Sequence, residues 1–129
     1  MSGKFLLDTN ITIALFGQDS SVLDRLQEVE SVFVPSIVLG ELFFGAHKST
    51  HVEENVERVN EFAIASAVIS CDTGTARHYG QIKSGLRTKG RPIPENDIWI
   101  AAIARQYDLT LVSRDVHFGE VEDLKVEAW

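Results

Sequence analysis

Phe5-Leu6-Leu7-Asp8-Thr9-Asn10 is the stretch that determines how the rest of this chain folds. Its three apolar residues predict a short buried strand, and an acid, a hydroxyl and an amide follow directly. The apolar run from Ile11 to Phe16 then predicts the start of a helix. A carboxylate at the carboxyl end of a central strand lies where open α/β sheets bind their ligands. Asp8 is therefore either a cap of the following helix or part of a binding site.

Length and composition predict one ordinary globular domain. The 129 residues are enough for a single core, and 44% of them are hydrophobic, so we expect one domain over residues 1–129. No apolar run approaches the roughly 20 residues of a membrane helix, and no secretory signal pattern is present. Cys71 is the single cysteine, which excludes a disulfide framework and a thiolate metal site. These features favour a cytoplasmic protein with no membrane partner.

Charge is distributed unevenly along the chain. The formal net charge is −7, which by itself argues against binding a polyanion. The segment from Thr73 to Pro94, however, contains no acid and five cations, which are Arg77, Lys83, Arg87, Lys89 and Arg91. A solvated helix face explains this segment as well as an anionic partner does.

Short apolar runs alternate with helical patterns, which is typical of a parallel α/β sheet. We expect strands at residues 5–7, 32–34, 67–70 and 109–112, with a short fifth edge strand at 124–126. Helices are expected from a cap at Ser20 or Ser21 to residue 30, and at 36–45, 50–65 and 95–107. A further helix starts at Asp72 and breaks between Gly85 and Gly90. The predicted fold is an α/β three-layer sandwich with a central, mainly parallel sheet of four to five strands.

Glu41 is the acid whose position most needs an explanation. The residues three and four positions away are Ile37, Val38, Phe44 and Gly45. We therefore expect Glu41 on the helix face that packs on the sheet. A buried, unpaired carboxylate is costly or becomes protonated, so it needs a cation. A buried ion pair with an arginine is the alternative to a bound ligand.

Asp97 and Asp115 show the same pattern. Asp97 lies in the first turn of a predicted helix, with apolar and small residues three, four and seven positions further on. A helix amino end stabilises an anion, but this does not explain an acid that points inward. Asp115 follows the fourth strand as Asp8 follows the first, although a simple turn residue would look the same. Right-handed crossovers place those two strands side by side, so Asp8 and Asp115 are expected to be neighbours.

Four acids in one pocket, Asp8, Glu41, Asp97 and Asp115, cannot all stay ionised unaided. A hard divalent cation resolves this, and oxygen ligands select Mg²⁺ or Mn²⁺ over zinc. No two histidines have the spacing of paired ligands, which also argues against zinc. Such a site is suited to phosphodiester hydrolysis. With the acids offset by metal, the basic segment can bind a single-stranded backbone through Lys83, Arg87, Lys89 and Arg91.

Four segments resemble the motifs of PIN-domain ribonucleases. Leu6–Asn10 resembles the opening motif, and Val38–Ala46 resembles the second acidic motif. Asn96–Ala102 resembles the third motif and Leu111–Phe118 the fourth, with Ser113 where threonine is usual. The tail from Leu124 to Trp129 is also similar to VapC chains. The segments run in order, nearly end to end, with the spacing of the family.

The resemblance implies a single PIN domain that acts as a Mg²⁺-dependent endoribonuclease toxin on tRNA, rRNA or mRNA, with Mn²⁺ as a substitute. It implies Asp8 and Asp97 as the main metal ligands. Glu41 would complete the acidic site or orient the attacking water, and Asp115 would bind a second ion or act through water. The expected supporting residues are Thr9, Asn10, Asn96 and Ser113.

The resemblance also implies partners. Such toxins usually form homodimers, and a cognate VapB antitoxin silences them by inserting a peptide into the site, in some cases within a larger assembly. Arg114, beside the fourth acid, is expected to contact RNA or the antitoxin.

Two other functions are compatible with parts of the sequence. A phosphatase of the haloacid dehalogenase type would use Asp8 as nucleophile, but it needs a second acid where Asn10 stands and gives Glu41 no role. A PIN module that binds RNA without cleaving it is the other alternative, and the presence of all four acids argues against it.

Overall fold

β1 (Lys4–Leu7) is the central strand of a sheet that has five strands, all paired in parallel, within the described residues. The structure, a computed structural model, describes residues 3–129. The order across the sheet is β3-β2-β1-β4-β5. The other strands are β2 (Ser31–Pro35), β3 (Ala67–Ile69), β4 (Thr110–Val112) and β5 (Val126–Glu127).

The two faces of β1 belong to two separate cores, because successive side chains of a strand point to opposite faces. Leu6 lies in the larger core, and Phe5 and Leu7 lie in the smaller one. The smaller core is covered by α1 (Thr9–Phe16) and α2 (Ser20–Glu28). The larger is covered by α3 (Ser36–His47), α4 (Val52–Ala65), α5 (Thr73–Lys89) and α6 (Glu95–Gln106). The predicted three-layer α/β sandwich is therefore confirmed.

The register of β1 and β4 places the predicted functional residues next to each other. Leu7 pairs with Val112, and the backbone N–H of Asp8 donates to the Val112 carbonyl at 3.0 Å. Asp8 and Ser113 therefore leave the sheet side by side at its carboxyl edge. The strand order reverses between these two strands, which is where open α/β sheets form a ligand crevice.

Several helix boundaries differ from the prediction. Asp19 caps α2 instead of Ser20 or Ser21, because its carboxylate accepts the backbone N–H groups of Ser21 and Val22. α3 continues past Gly45 to His47. α5 passes through Gly85 and ends at Gly90, which has the left-handed φ of 68°. The helix therefore ends within the predicted range, at its far end, because the buried Ile82 and Leu86 hold it together past Gly85 in spite of the low helix propensity of glycine.

Membrane insertion of a helix is not supported by the described part of the chain. None of the helices within residues 3–129 combines the length and the apolar character that crossing a membrane requires.

Truncation of the central strand should destabilise the protein strongly. Leu6 is fully buried (0% exposed), whereas Leu23 on α2 is 36% exposed. Leu6→Ala should lower the free energy of unfolding by about 2–5 kcal/mol, because it removes packed methyl groups and leaves a cavity. Leu23→Ala, the same chemical change, should cost less than about 1 kcal/mol. Urea denaturation measures both values, and equal losses would contradict the assignment of β1 to the core.

Candidate metal centre

The four predicted acids line one pocket at the carboxyl edge of the sheet. They arrive from four different elements: Asp8 follows β1, Glu41 is on α3, Asp97 is in the first turn of α6, and Asp115 follows β4. The pocket has a volume of about 500 Å³. Residues far apart in the chain thus meet at the crevice between β1 and β4.

Asp8 is the most buried of the four acids, with 4% of its surface exposed. It stands at the amino end of α1, but its side chain makes no helix-capping hydrogen bond. Its Oδ2 instead accepts a hydrogen bond from the Ser113 hydroxyl at 2.7 Å. Burial raises the pKa of the Asp8 carboxyl above its ordinary value, and the Ser113 hydrogen bond opposes this rise. The carboxylate therefore belongs to the pocket, not to the helix end.

The Ser113 hydroxyl connects β1, α1 and the loop after β4. While it donates to Asp8, its oxygen accepts the Asn10 side-chain amide at 3.3 Å and the Asp115 backbone N–H at 3.0 Å. The Asn10 carbonyl oxygen in turn accepts the Arg114 backbone N–H at 3.2 Å. Asn10 and Ser113 thus fix the positions of two acids.

Glu41 lines the pocket, but it lies on a different face of α3 from the expected one. The buried stripe of α3 is Val38, Leu42 and Ala46, whereas Phe44 is 66% exposed. The expectation that Glu41 packs on the sheet was therefore wrong, since the true stripe lies one position away. Glu41 is half-buried, and its Oε1 accepts a hydrogen bond from the Thr9 hydroxyl at 2.8 Å. Within residues 3–129 it has no ion pair, so the arginine alternative is not realised.

His117 lies between two of the acids and was missed by the sequence analysis. Its Nε2 is 2.8 Å from Asp97 Oδ2, and its Nδ1 is 2.9 Å from Asp115 Oδ1. These three residues offer ligand atoms that all lie within 4.8 Å of one another. The prediction of an oxygen-only donor set was therefore incomplete. The available signal was the position of His117 two residues after Asp115, not its spacing from other histidines.

The pKa of Asp97 is raised by its surroundings in the pocket. Burial, and then the negative charge of Asp8, raise the pKa of Asp97 to about 6, while His117 lowers it and Glu41 adds to the rise. Crowded carboxylates beside an imidazole fit a divalent cation, which would neutralise them together. Within the described residues no lysine or arginine lines this pocket to do so instead.

Arg114 makes structural contacts instead of facing the pocket. Its Nε donates to the Trp129 carbonyl at 2.8 Å, and its guanidinium pairs with Asp19 at 3.0 Å. These bonds join the loop after β4 to the chain end and to the cap of α2. They leave the expected contact of Arg114 with RNA or an antitoxin without support. Asn96, by contrast, is exposed and lines the pocket as expected.

The basic segment forms α5 and the turn after it, outside the acid pocket. Lys83 pairs with Glu95 at 3.0 Å, and Lys89 pairs with Glu120 at 3.5 Å. Arg87 and Arg91 are exposed and make no ion pair within the part of the chain that the structure describes. The cations that remain available for an anionic partner are therefore the arginines.

Comparison with known proteins gives a consistent result over nearly the whole chain. The PIN domain family model matches residues 5–124. Ribonuclease VapC2 from Haemophilus influenzae is 37% identical over 129 residues, which covers 98% of each chain. The tRNA(fMet)-specific endonuclease VapC from Shigella flexneri is 35% identical over 98% of each chain.

Solved structures agree with this result. The crystal structure of DNA-bound VapBC from Salmonella typhimurium is similar with a TM-score of 0.90 and 32% identity over 98% of each chain. The crystal structure of VapBC2 from Rickettsia felis, bound to a DNA fragment from the promoter of these proteins, is similar to the present chain with a TM-score of 0.89 and 29% identity. This second match covers 100% of the present chain and 99% of the other.

Neutralising Asp97 should stabilise the metal-free protein at neutral pH. Its raised folded-state pKa means that the folded chain binds more protons than the unfolded chain between about pH 4 and pH 6. Stability therefore falls as pH rises through this window. Because the Asp97 side chain is 15% exposed, Asp97→Asn should gain about 1–3 kcal/mol over wild type at pH 7, and much less at pH 4.

Asp108→Asn is the matched control, at the other end of α6. The ion pair with Lys125 lowers the pKa of Asp108, so this change should give no gain at pH 7. Chemical denaturation in EDTA across this pH range measures both variants. A gain for Asp97→Asn that does not change with pH would contradict the charge-crowding explanation.

Proposed function

We infer the function of the chain from the family to which it belongs: it is a member of the PIN-domain family and, within it, of the VapC ribonucleases. We propose that it is a divalent-metal-dependent endoribonuclease toxin that hydrolyses phosphodiester bonds in RNA. The observation that carries the proposal is the meeting of Asp8, Glu41, Asp97 and Asp115 in one pocket without a lysine or arginine among the described lining residues. Relatives that are named tRNA(fMet)-specific endonucleases make tRNA the first substrate to test, ahead of rRNA and mRNA.

The residues present would hold Mg²⁺, or Mn²⁺ in its place, through Asp8, Asp97 and Asp115, with the His117 imidazole beside them. A bound divalent cation supplies positive charge to the scissile phosphate and acidifies water. Burial raises the pKa of Asp8 and that of Asp97, and a cation held between these two carboxylates would favour their ionised forms.

The chain's own groups then position the reaction. The Thr9 hydroxyl engages Oε1 of Glu41, which leaves Oε2 free to accept a proton from the attacking water. The water oxygen adds to phosphorus and the bond to the leaving ribose oxygen breaks. The proton that Glu41 accepted from the water is then passed to that ribose oxygen. The Ser113 hydroxyl keeps Asp8 and the Asp115 loop in register throughout.

The phosphatase alternative has less support from the geometry. The Asn10 amide is occupied by Ser113 and Arg114, so it cannot take the part of the second acid of that chemistry. Asp8 is buried and hydrogen-bonded, which makes it a poor free nucleophile. Within the described residues, the pocket also lacks the lysine that this mechanism requires.

A cognate VapB-like antitoxin is the proposed protein partner. Ile13 is 57% exposed and Phe44 is 66% exposed, and both flank Glu41 on an apolar surface that continues from the acid pocket. Gly40 and Gly45 keep this surface open to a close-packed helix. Several structures similar to this chain are VapBC complexes. We extend the proposal to a homodimer, within a larger toxin–antitoxin assembly, that acts in the cytoplasm.

Removal of single acids should slow RNA cleavage strongly. Asp8→Asn and Asp97→Asn should each lower the cleavage rate by about 100-fold or more, because each removes charge that acts on the transition state. Asp24→Asn, an exposed acid on α2, is the control and should cleave as wild type does. The assay follows fragments of tRNA on gels with Mg²⁺, with Mn²⁺ and with EDTA. Wild-type cleavage rates in both site variants, or undiminished cleavage in EDTA, would refute the proposed site.

A further inference from the structure

A second cavity lies beside the acid pocket, separated from it by Glu95, which lines both. We call it the side pocket. It has a volume of about 300 Å³, and its floor consists of apolar side chains, among them Leu86, Ile93 and Ile98. Its rim carries Lys83 and Arg87 from α5. The two cavities therefore form one continuous surface around the amino end of α6.

The wall between the two cavities is held firmly in place. The Glu95 carboxylate is 3.0 Å from Lys83 Nζ and accepts a hydrogen bond from the Tyr79 hydroxyl. The Tyr79 ring stacks on Trp99 with centroids 4.0 Å apart and an interplanar angle of 17°. The exposed Glu95 side chain, with Lys83 and Tyr79 as partners, thus forms the boundary along which the two cavities join.

The charge of the side pocket is positive. Lys83 and Glu95 neutralise each other at its edge. Arg87 is exposed and makes no ion pair or side-chain hydrogen bond within residues 3–129. One unneutralised guanidinium thus stands over an apolar floor, next to the site proposed to act on RNA. A guanidinium recognises phosphate through paired N–H donors, and an apolar floor accepts the face of a base.

We propose that the side pocket binds an unpaired nucleotide next to the scissile phosphodiester, with its base on the apolar floor and its phosphate on Arg87. This inference rests on the proposed endoribonuclease function. Charge complementarity and continuity with the acid pocket both favour RNA as the occupant. A base can enter only when it is unstacked, so the side pocket selects single-stranded segments, such as loops, over duplex RNA.

Loss of the Arg87 charge tests the phosphate contact. Arg87→Gln and its control Arg77→Gln are the same change on the same helix, but only Arg87 lines the side pocket. Binding of a fluorescent single-stranded hexanucleotide is measured by anisotropy in the non-cleaving Asp8→Asn background with Mg²⁺. Arg87→Gln should weaken binding about 5- to 10-fold and lower the salt slope by about 0.7, as expected for one phosphate contact. Arg77→Gln should change the affinity by less than about 2-fold.

Loss of the base tests the apolar floor. Ile93→Ala should weaken binding of the intact hexanucleotide about 5-fold or more, because apolar contact between the base and the floor of the side pocket is lost. The same binding assay is repeated with a series of probes, each of which lacks the base at one position. One of these probes should bind to wild type as weakly as the intact strand binds to Ile93→Ala. For that probe the Ile93→Ala change should add no further loss. Additive losses at every position would overturn the base assignment.

Three other outcomes would overturn the side pocket as an RNA subsite. Equal effects of Arg87→Gln and Arg77→Gln would indicate diffuse attraction only. A change of molecular mass in light scattering with Arg87→Gln would assign this face to a second copy of the chain. If Arg87→Gln binds RNA as tightly as wild type does, the proposed phosphate contact is refuted. Cleavage of RNA by the wild-type protein would still support the proposed function in that case. Absence of cleavage by wild type itself would instead refute the proposed function.

Discussion

Crowding of four carboxylates at the carboxyl edge of β1 and β4 is the constraint on which the rest of the site depends. No lysine or arginine among the described lining residues relieves it. Burial, and then the negative charge of Asp8, raise the pKa of Asp97 to about 6. Within the described chain, His117 provides the nearest basic group, between Asp97 and Asp115. The arrangement is unfavourable by itself, and binding of the proposed divalent cation would neutralise it.

The fold supplies the rigidity that this arrangement requires. β1 is buried on both faces and pairs with β4 in a register that brings Asp8 beside Ser113. The Ser113 hydroxyl then connects Asp8, Asn10 and the Asp115 backbone by three hydrogen bonds. Because the strand order reverses at this point, the crevice opens between the two strands. The geometry of the acid pocket therefore follows directly from the sheet topology.

The sequence predicted the sheet because hydrophobic periodicity can be read from neighbouring residues. It predicted that the acids meet because parallel strands place their carboxyl ends at the same edge of a sheet. The prediction failed where a shift of one position changes the face of a helix, or where a contact joins residues far apart in the chain. Glu41 lies one position away from the buried stripe of α3, and spacing alone could not resolve that difference. His117 and Arg114 depend on partners far away in the chain. A single domain over residues 1–129 and the roles of the site residues stay predictions.

Proton release on metal binding tests the central claim most directly. If the crowded acids share protons in the absence of metal, a divalent cation must displace them. Titration calorimetry with Mn²⁺ near pH 6, close to the raised pKa of Asp97, in two buffers of different ionisation enthalpy gives the number of protons released. We expect release of about half to one proton per ion bound, and release of fewer protons per ion in Asp97→Asn. Binding of Mn²⁺ without any proton release would contradict the central claim.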